Sequence, residues 1–167
     1  MSPEQTDHWN LWYDAASNPD VDAGLRTVYS ELAREIELRH PTCWISGKCC
    51  KFDAYGHRLY VTGLEIAWMI RLLDPAGQQR LTAASLPANP GCPFQVGKLC
   101  TVQGIKPLGC RIFFCDPSAE PWINGVYEQM LARLRQVHQA HDLPYQYLEW
   151  RGGLAAAREV LLSSPPG

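Results

Sequence analysis

The stretch Thr62-Gly63-Leu64-Glu65-Ile66-Ala67-Trp68-Met69-Ile70-Arg71-Leu72-Leu73-Asp74-Pro75 decides the fold class. Thr62-x-x-Glu65 is a capping-box pattern, in which the hydroxyl takes an amide of the first helical turn and the glutamate reaches back to the threonine amide. Ile66, Met69, Ile70 and Leu73 then recur at helical steps until Asp74-Pro75 ends the run. Towards the N-terminus the same periodicity predicts a helix from about Asp20 to Arg39, with Leu25, Val28, Leu32 and Ile36 on one face. Asn18-Pro19-Asp20 supplies its cap and His40-Pro41 its stop. Towards the C-terminus a third helix runs from about Glu120 to Ala140, striped by Ile123, Val126, Tyr127, Met130, Leu134 and Val137. All three stripes are read as core-packing faces.

Between these helices the chain is poor in helix signal. Phe94-Gln95-Val96 and Leu99-Cys100-Thr101-Val102 flank Gly97-Lys98 and predict a small hairpin, and Arg58-Leu59-Tyr60-Val61 predicts a short strand. Pro87, Pro90, Pro93 and Pro107, with Gly91, Gly97, Gly104 and Gly109, mark loops. The expected fold is therefore mainly α (α+β), a small single domain over residues 1–167 with about three main helices around a loop-rich, metal-nucleated region. Helical flanks are placed at 18–40 and 118–142, the loop-rich region at 43–115 and a C-terminal tail at 143–167. Trp9, Trp12 and Tyr13 are expected to fasten the N-terminal arm to the core.

The charge balance, 15 basic against 17 acidic residues for a net −2, excludes nucleic-acid binding by bulk electrostatics. No apolar run reaches the roughly 18 residues of a membrane span. Met1-Ser2-Pro3-Glu4-Gln5-Thr6-Asp7 is acidic and polar, unlike a secretory signal, so a cytoplasmic location is expected, where thiols stay reduced.

Seven cysteines are then the feature to explain: Cys43, Cys49, Cys50, Cys92, Cys100, Cys110 and Cys115. Cysteine used as a small core hydrophobe would scatter along the chain, whereas these are confined to its middle. An odd count without a signal peptide argues against a disulfide framework, and no Cys-x-x-Cys redox pair occurs. Metal or iron–sulfur ligation is the remaining reading, with all seven as candidate ligands. The gaps are five, none, 41, seven, nine and four residues. Structural zinc favours paired short knuckles, which only Cys110-x4-Cys115 loosely matches. A cubane is wider and can be held from separate loops, so a [4Fe–4S] centre is favoured and zinc is the alternative cofactor. If the Cys49-Cys50 segment is extended, its two side chains point apart, and one ligates while the other packs or serves a second site.

The run Cys92-Pro93-Phe94-Gln95-Val96-Gly97-Lys98-Leu99-Cys100-Thr101-Val102, followed by Lys106-Pro107-Leu108-Gly109-Cys110-Arg111-Ile112-Phe113-Phe114-Cys115, resembles the core of the zinc- or iron-chelating cysteine-cluster family. Cys43-x5-Cys49-Cys50 is similar to that family's opening element, and Lys106 stands where the family usually has arginine. The resemblance covers roughly residues 43–115 and implies binding of iron–sulfur or zinc. One branch of the family contains larger flagellin lysine methylases, but no methyl-donor motif is evident here. Leu143-Pro144-Tyr145-Gln146-Tyr147-Leu148-Glu149-Trp150 looks like the tail of some members.

Five other residues are weighed for supporting roles. His57 is a ligand, a hydrogen-bond donor behind the ligands, or an ordinary surface or turn residue. Arg111 either balances thiolate charge, holds an anionic substrate, or makes an ordinary salt bridge. Trp44, beside Cys43, is expected to shield a cluster from water. Lys48 and Lys51 either lower nearby thiol pKa values or are solvated loop charges. No phosphate loop, Ser-His-Asp order or HExxH pattern is present, and nothing marks a general base. The expected function is metal binding through an iron–sulfur centre with a redox, structural or protein-modification role. The alternatives are a zinc-thiolate module acting as an interaction protein, and a protein-modifying enzyme. A protein partner is compatible with each.

Overall fold

A computed structural model describes the backbone of residues 1–163 and the side chains up to residue 160. The fold is mainly α, as the periodicity predicts, and the capping box forms as read. The hydroxyl of Thr62 accepts from the Glu65 amide, and the Glu65 carboxylate accepts from the Thr62 amide. The helix it opens, α4 (Gly63–Arg71, the numbering counting the helices α1–α3 given below), is buried on every side from Gly63 to Ile70. A helix apolar all round must be wrapped by other elements. Here α1 (Pro3–Ala15) and α8 (Trp150–Ser163) pack against it.

The predicted flanks are α2 (Pro19–Arg39) and α7 (Glu120–Ala140). They lie antiparallel: Gly24 faces Val137, Glu31 pairs with Arg133 at 3.3 Å, and Arg39 sits over the Trp122 ring. Val21, Leu25, Val28 and Leu32 of α2 face Val126, Met130 and Leu134 of α7 within one core. Ile123, read as part of that stripe, is half-buried against the same core and also lines a cleft.

Two short antiparallel ladders complete the framework. Strand β1 (Tyr60–Thr62) pairs with β4 (Tyr147–Glu149) in the register Tyr60 to Glu149, Val61 to Leu148 and Thr62 to Tyr147. Strands β2 (Gln95–Val96) and β3 (Leu99–Cys100) form the predicted hairpin in a shorter version.

Helices of nine residues or more number six among the described residues, not about three, because α1 and α5 (Pro75–Ala83) carry weak apolar stripes and α8 carries a glycine pair near its start. In α1 burial rests on two tryptophans, Trp9 and Trp12, and in α5 on Leu81 and Gly77. The α8 stripe of Trp150, Leu154, Ala157 and Val160 follows Gly152-Gly153 at its start, which reads locally as a loop. The segment read as a tail thus contributes a strand and a helix to the core. The remaining helices, α3 (Phe52–Tyr55) and α6 (Leu108–Arg111), are single turns that carry the functional region. Among the described residues no helix is long and apolar enough to cross a membrane.

Candidate metal centre and adjoining cleft

Four chain segments bring thiols towards one another. Cys49 and Cys50 occupy a 3-10 turn, Lys48–Cys50, and not an extended segment. The turn corrects the expectation that neighbouring side chains diverge, because their Sγ atoms lie 3.8 Å apart. Cys92 is tied to this turn through its amide, which donates to the Cys50 carbonyl at 2.7 Å. Gly91 makes that approach possible, since a Cβ there would sit 2.6 Å from the Cys50 oxygen. Cys100 comes with the hairpin, which is held to the turn by Gln95 Nε2 donating to the Gly47 carbonyl at 2.9 Å. Cys110 is the third residue of α6. The preceding Gly109 lets α6 lie flat on β1, where a Cβ would meet Leu59 Cδ1 at 2.6 Å and the Tyr60 carbonyl at 3.1 Å.

Glu65 sets the position of α6. It is 1% exposed. Its Oε1 accepts from the Leu108 amide at 2.8 Å and from the Tyr29 hydroxyl at 3.0 Å, and its Oε2 accepts from the Thr62 amide and hydroxyl, both at 3.0 Å. One carboxylate therefore joins α2, the start of α4 and the first residue of α6. The capping role is legible in the local pattern. The bonds to Leu108 and Tyr29 span 43 and 36 residues and carry no local signature.

Five thiols feel one another electrostatically. The bond to Cys50 pushes the Cys49 thiol far above its usual range, with burial adding to the rise. For Cys50 the largest influence, the contact with Cys49, acts downward. The contact with Cys92, burial and the neighbouring Cys92 and Cys100 nevertheless hold it up at about 12. Cys110 is raised well above the ordinary value by burial first, and then by Cys50, Cys100 and Cys49. Lys106 is the cation that opposes the rise at Cys49 and Cys110. Lys48 instead lies over the Tyr55 ring at 5.2 Å. Burial and neighbouring sulfurs thus disfavour the thiolate at Cys49, Cys50 and Cys110. Among the described residues no three His, Cys, Asp or Glu side chains already form a ready cage for an ion. The donor type nonetheless suits a thiophilic metal: Cys50 touches Cys49 and Cys92, and Cys100 and Cys110 lie near enough to act on the group electrostatically.

The remaining candidates lie elsewhere. Cys43 is exposed, and Cys115 is 3.4 Å from the Ser46 hydroxyl; neither is among the groups that shift Cys49, Cys50 or Cys110. Their two segments are linked by Asp116, which accepts from the amides of Thr42 at 2.8 Å and Ser118 at 2.9 Å; these bonds hold its carboxyl below the usual range. Trp44 is 56% exposed, so it does not cover the thiols as expected. His57 Nε2 lies 3.3 Å from the Cys49 carbonyl oxygen, and its ring stacks on Phe113 and edges onto Phe52. That places it as a brace for the Cys49 backbone. Arg111 makes no salt bridge among the described residues, though Cys110 lies near enough to act on its charge. It donates to the carbonyls of Lys106 at 2.6 Å and Gly104 at 3.0 Å, and its guanidinium lies 4.0 Å from the Tyr29 ring centre. It pins the loop that carries Lys106 beneath the thiols.

A cleft of about 670 Å³ adjoins the group and is lined by Cys49, Cys110 and Cys115. Leu59, Ile112, Phe113, Phe114 and Ile123 give it apolar walls, and Tyr60, Tyr127 and Tyr147 also line it. Tyr60 and Tyr147 stack at 5.9 Å, and the hydroxyls of Tyr127 and Tyr147 are hydrogen-bonded. Burial, followed by the Glu65 charge, pushes Tyr147 up to about 12. Nothing in the linear pattern announces the cleft, because its walls come from β1, α6, α7, β4 and the loop after α6. No family model, curated protein or solved structure matches the chain.

Proposed function

We propose that this protein binds a metal centre through Cys49, Cys50, Cys92, Cys100 and Cys110, and that the centre is an iron–sulfur cluster of the [4Fe–4S] type. The single observation supporting this reading is that four separate segments bring five thiols near one another, with sulfur neighbours that help raise the thiols of Cys49, Cys50 and Cys110. Neutral, inert core cysteines need no such crowding. The separate segments suit a cubane better than paired zinc knuckles. Five thiols also exceed the four a cubane requires, leaving one as a neighbour that tunes the centre. The resemblance to the cysteine-cluster family supports the same chemistry. In that reading Glu65 and His57 hold the ligand-bearing backbone, and Arg111 and Lys106 supply positive charge beside the thiolates. When bound, the cluster would supply electron transfer or an accessible iron.

Protein purified without oxygen tests the proposal. A brown product with matched iron and acid-labile sulfide is expected. Colourless protein with stoichiometric zinc would establish a zinc-thiolate module instead, and protein with neither metal would overturn the reading.

A further inference from the structure

The hairpin that brings Cys100 to the thiols has a second side. Val96 and Leu99 are cross-strand partners, as are Gln95 and Cys100, and neighbours along a strand point to opposite faces. Gln95 bonds to the Gly47 carbonyl and Cys100 packs against the core, which turns Val96 and Leu99 outwards, both more than half exposed. Gly47 lies against the hairpin's turn, where a Cβ on it would sit 3.2 Å from the Lys98 Cα. The segment leading into Gly47 carries Trp44 and Ile45, again more than half exposed. Ile45 holds a φ of 51°, a left-handed backbone that is strained for a β-branched residue and characteristic of functional loops. We propose that this side of the molecule docks on an anionic phospholipid surface, with Trp44, Ile45, Val96 and Leu99 entering the headgroup layer and the lysines beside them meeting lipid phosphate.

Charge complementarity selects that occupant. The lysines of the chain are Lys48, Lys51, Lys98 and Lys106, and the stretches 38–52 and 75–115 that hold them contain none of its 17 aspartates and glutamates. Lys98 is exposed in the hairpin's turn, and Lys48 and Lys51 flank the Cys49-Cys50 turn to which the hairpin is tied. Two carboxylates approach from outside these stretches: Asp116, which accepts from the Thr42 amide, and Asp53, which shares Arg151 with Glu149. The four lysines outnumber them, and the segregation of acids to the rest of the chain gives the molecule a field that turns this side towards negative charge. The apolar side chains project from two chain segments, and none of them lines the cleft. Projecting aliphatic tips beside tryptophan and lysine suit a deformable headgroup layer, where the indole ring is at home and each basic side chain adds attraction. The docking is independent of what the thiols bind.

The full chain, purified without oxygen, is mixed with vesicles of phosphatidylcholine alone or of phosphatidylcholine and phosphatidylglycerol in equal parts, and bound protein is measured by flotation. Binding to the mixed vesicles is expected, weakening as salt rises and about ten-fold or more weaker on phosphatidylcholine alone. Trp44→Ser and Leu99→Ser, at exposed positions that leave the core untouched, should each weaken binding about five-fold or more, and Lys98→Glu about ten-fold. Leu11→Ser, at a comparably exposed leucine of α1, should bind like the parent. No binding to the mixed vesicles, equal binding to the two vesicle types, or full binding by the Trp44, Leu99 and Lys98 variants would overturn the proposal. Retention on immobilised poly-glutamate without vesicle binding would also overturn it, giving this side of the molecule to an acidic polypeptide instead.

Discussion

Replacing Glu65 with glutamine separates the carboxylate's chemistry from its shape. The side chain is 1% exposed and accepts four hydrogen bonds of 2.8 to 3.0 Å, two on each oxygen. A carboxamide keeps one acceptor oxygen and turns the other into a donor. If the oxygen stays with Leu108 and Tyr29, the new NH2 faces the Thr62 amide; if it turns round, the NH2 faces the Leu108 amide. The hydroxyls of Thr62 and Tyr29 can rotate to accept, but a backbone N–H cannot. One buried amide is therefore left unpaired in either orientation, and the bonds that remain lose their charge assistance. An unpaired buried donor costs about 1–3 kcal/mol, and bonds to a charged group exceed neutral ones by about 1 kcal/mol. The half-buried Arg111, whose charge Glu65 favours, loses an opposing charge as well. The expected total is a destabilisation of about 2–4 kcal/mol, read as a lowered urea midpoint at unchanged slope. Because Leu108 begins the turn that carries Cys110, metal affinity should also fall by about ten-fold. Glu65→Asp, one methylene short, should not restore it. A loss under about 1 kcal/mol with unaltered metal content would refute the account of Glu65 as the anchor of α6.

Three further perturbations follow from the geometry. His138 is 1% exposed; burial lowers its pKa, against a smaller upward pull from its bonds to the Pro144 and Leu143 carbonyls. The fold therefore favours the neutral ring, and its contribution is full above the unfolded value of about 6.5 and lost as pH falls below it. Melting temperatures recorded from pH 8 to pH 5 should drop, and His138→Gln should flatten that slope; equal slopes would refute the assignment. Gly109→Ala places a methyl 2.6 Å from Leu59 Cδ1 and 3.1 Å from the Tyr60 carbonyl, so it should cost about 1–3 kcal/mol in denaturant unfolding and lower metal content, whereas an unchanged midpoint would contradict the flat docking of α6 on β1. Anaerobic removal of metal should lower the melting temperature by several degrees, because binding energy at such a site is also folding energy. An unchanged melt would show that the core stands without the centre.

The long helices were legible because α2, α4 and α7 each bury a stripe of large apolar residues and carry recognisable ends, such as Asn18, which accepts from the Asp20 amide at 2.8 Å. The helices that were not legible bury little or bury unusual residues: α5 rests on Leu81, and α8 opens on two glycines. At the site, residue type was legible and grouping was not. Cysteine count and confinement pointed to ligation, but nothing local distinguishes Cys100, within the five, from Cys43, outside it. That distinction depends on Gln95 reaching Gly47 and on Cys92 bonding to Cys50, contacts across 48 and 42 residues. The Cys49-Cys50 geometry turned on backbone conformation, since a 3-10 turn places side by side what a strand would separate. Arg111 has a similar explanation. Its partners are carbonyls of a nearby loop and a ring from α2, neither of which charge counting can reveal.

The most direct test of the central claim is the metal content of seven single Cys→Ser variants, each purified without oxygen beside the parent. Substitution at Cys49, Cys50, Cys92, Cys100 or Cys110 should abolish or sharply reduce bound metal at four or more of these five positions. Cys43→Ser and Cys115→Ser should retain the parent's content. Equal loss at Cys43 or Cys115, or full retention throughout the five, would contradict the account.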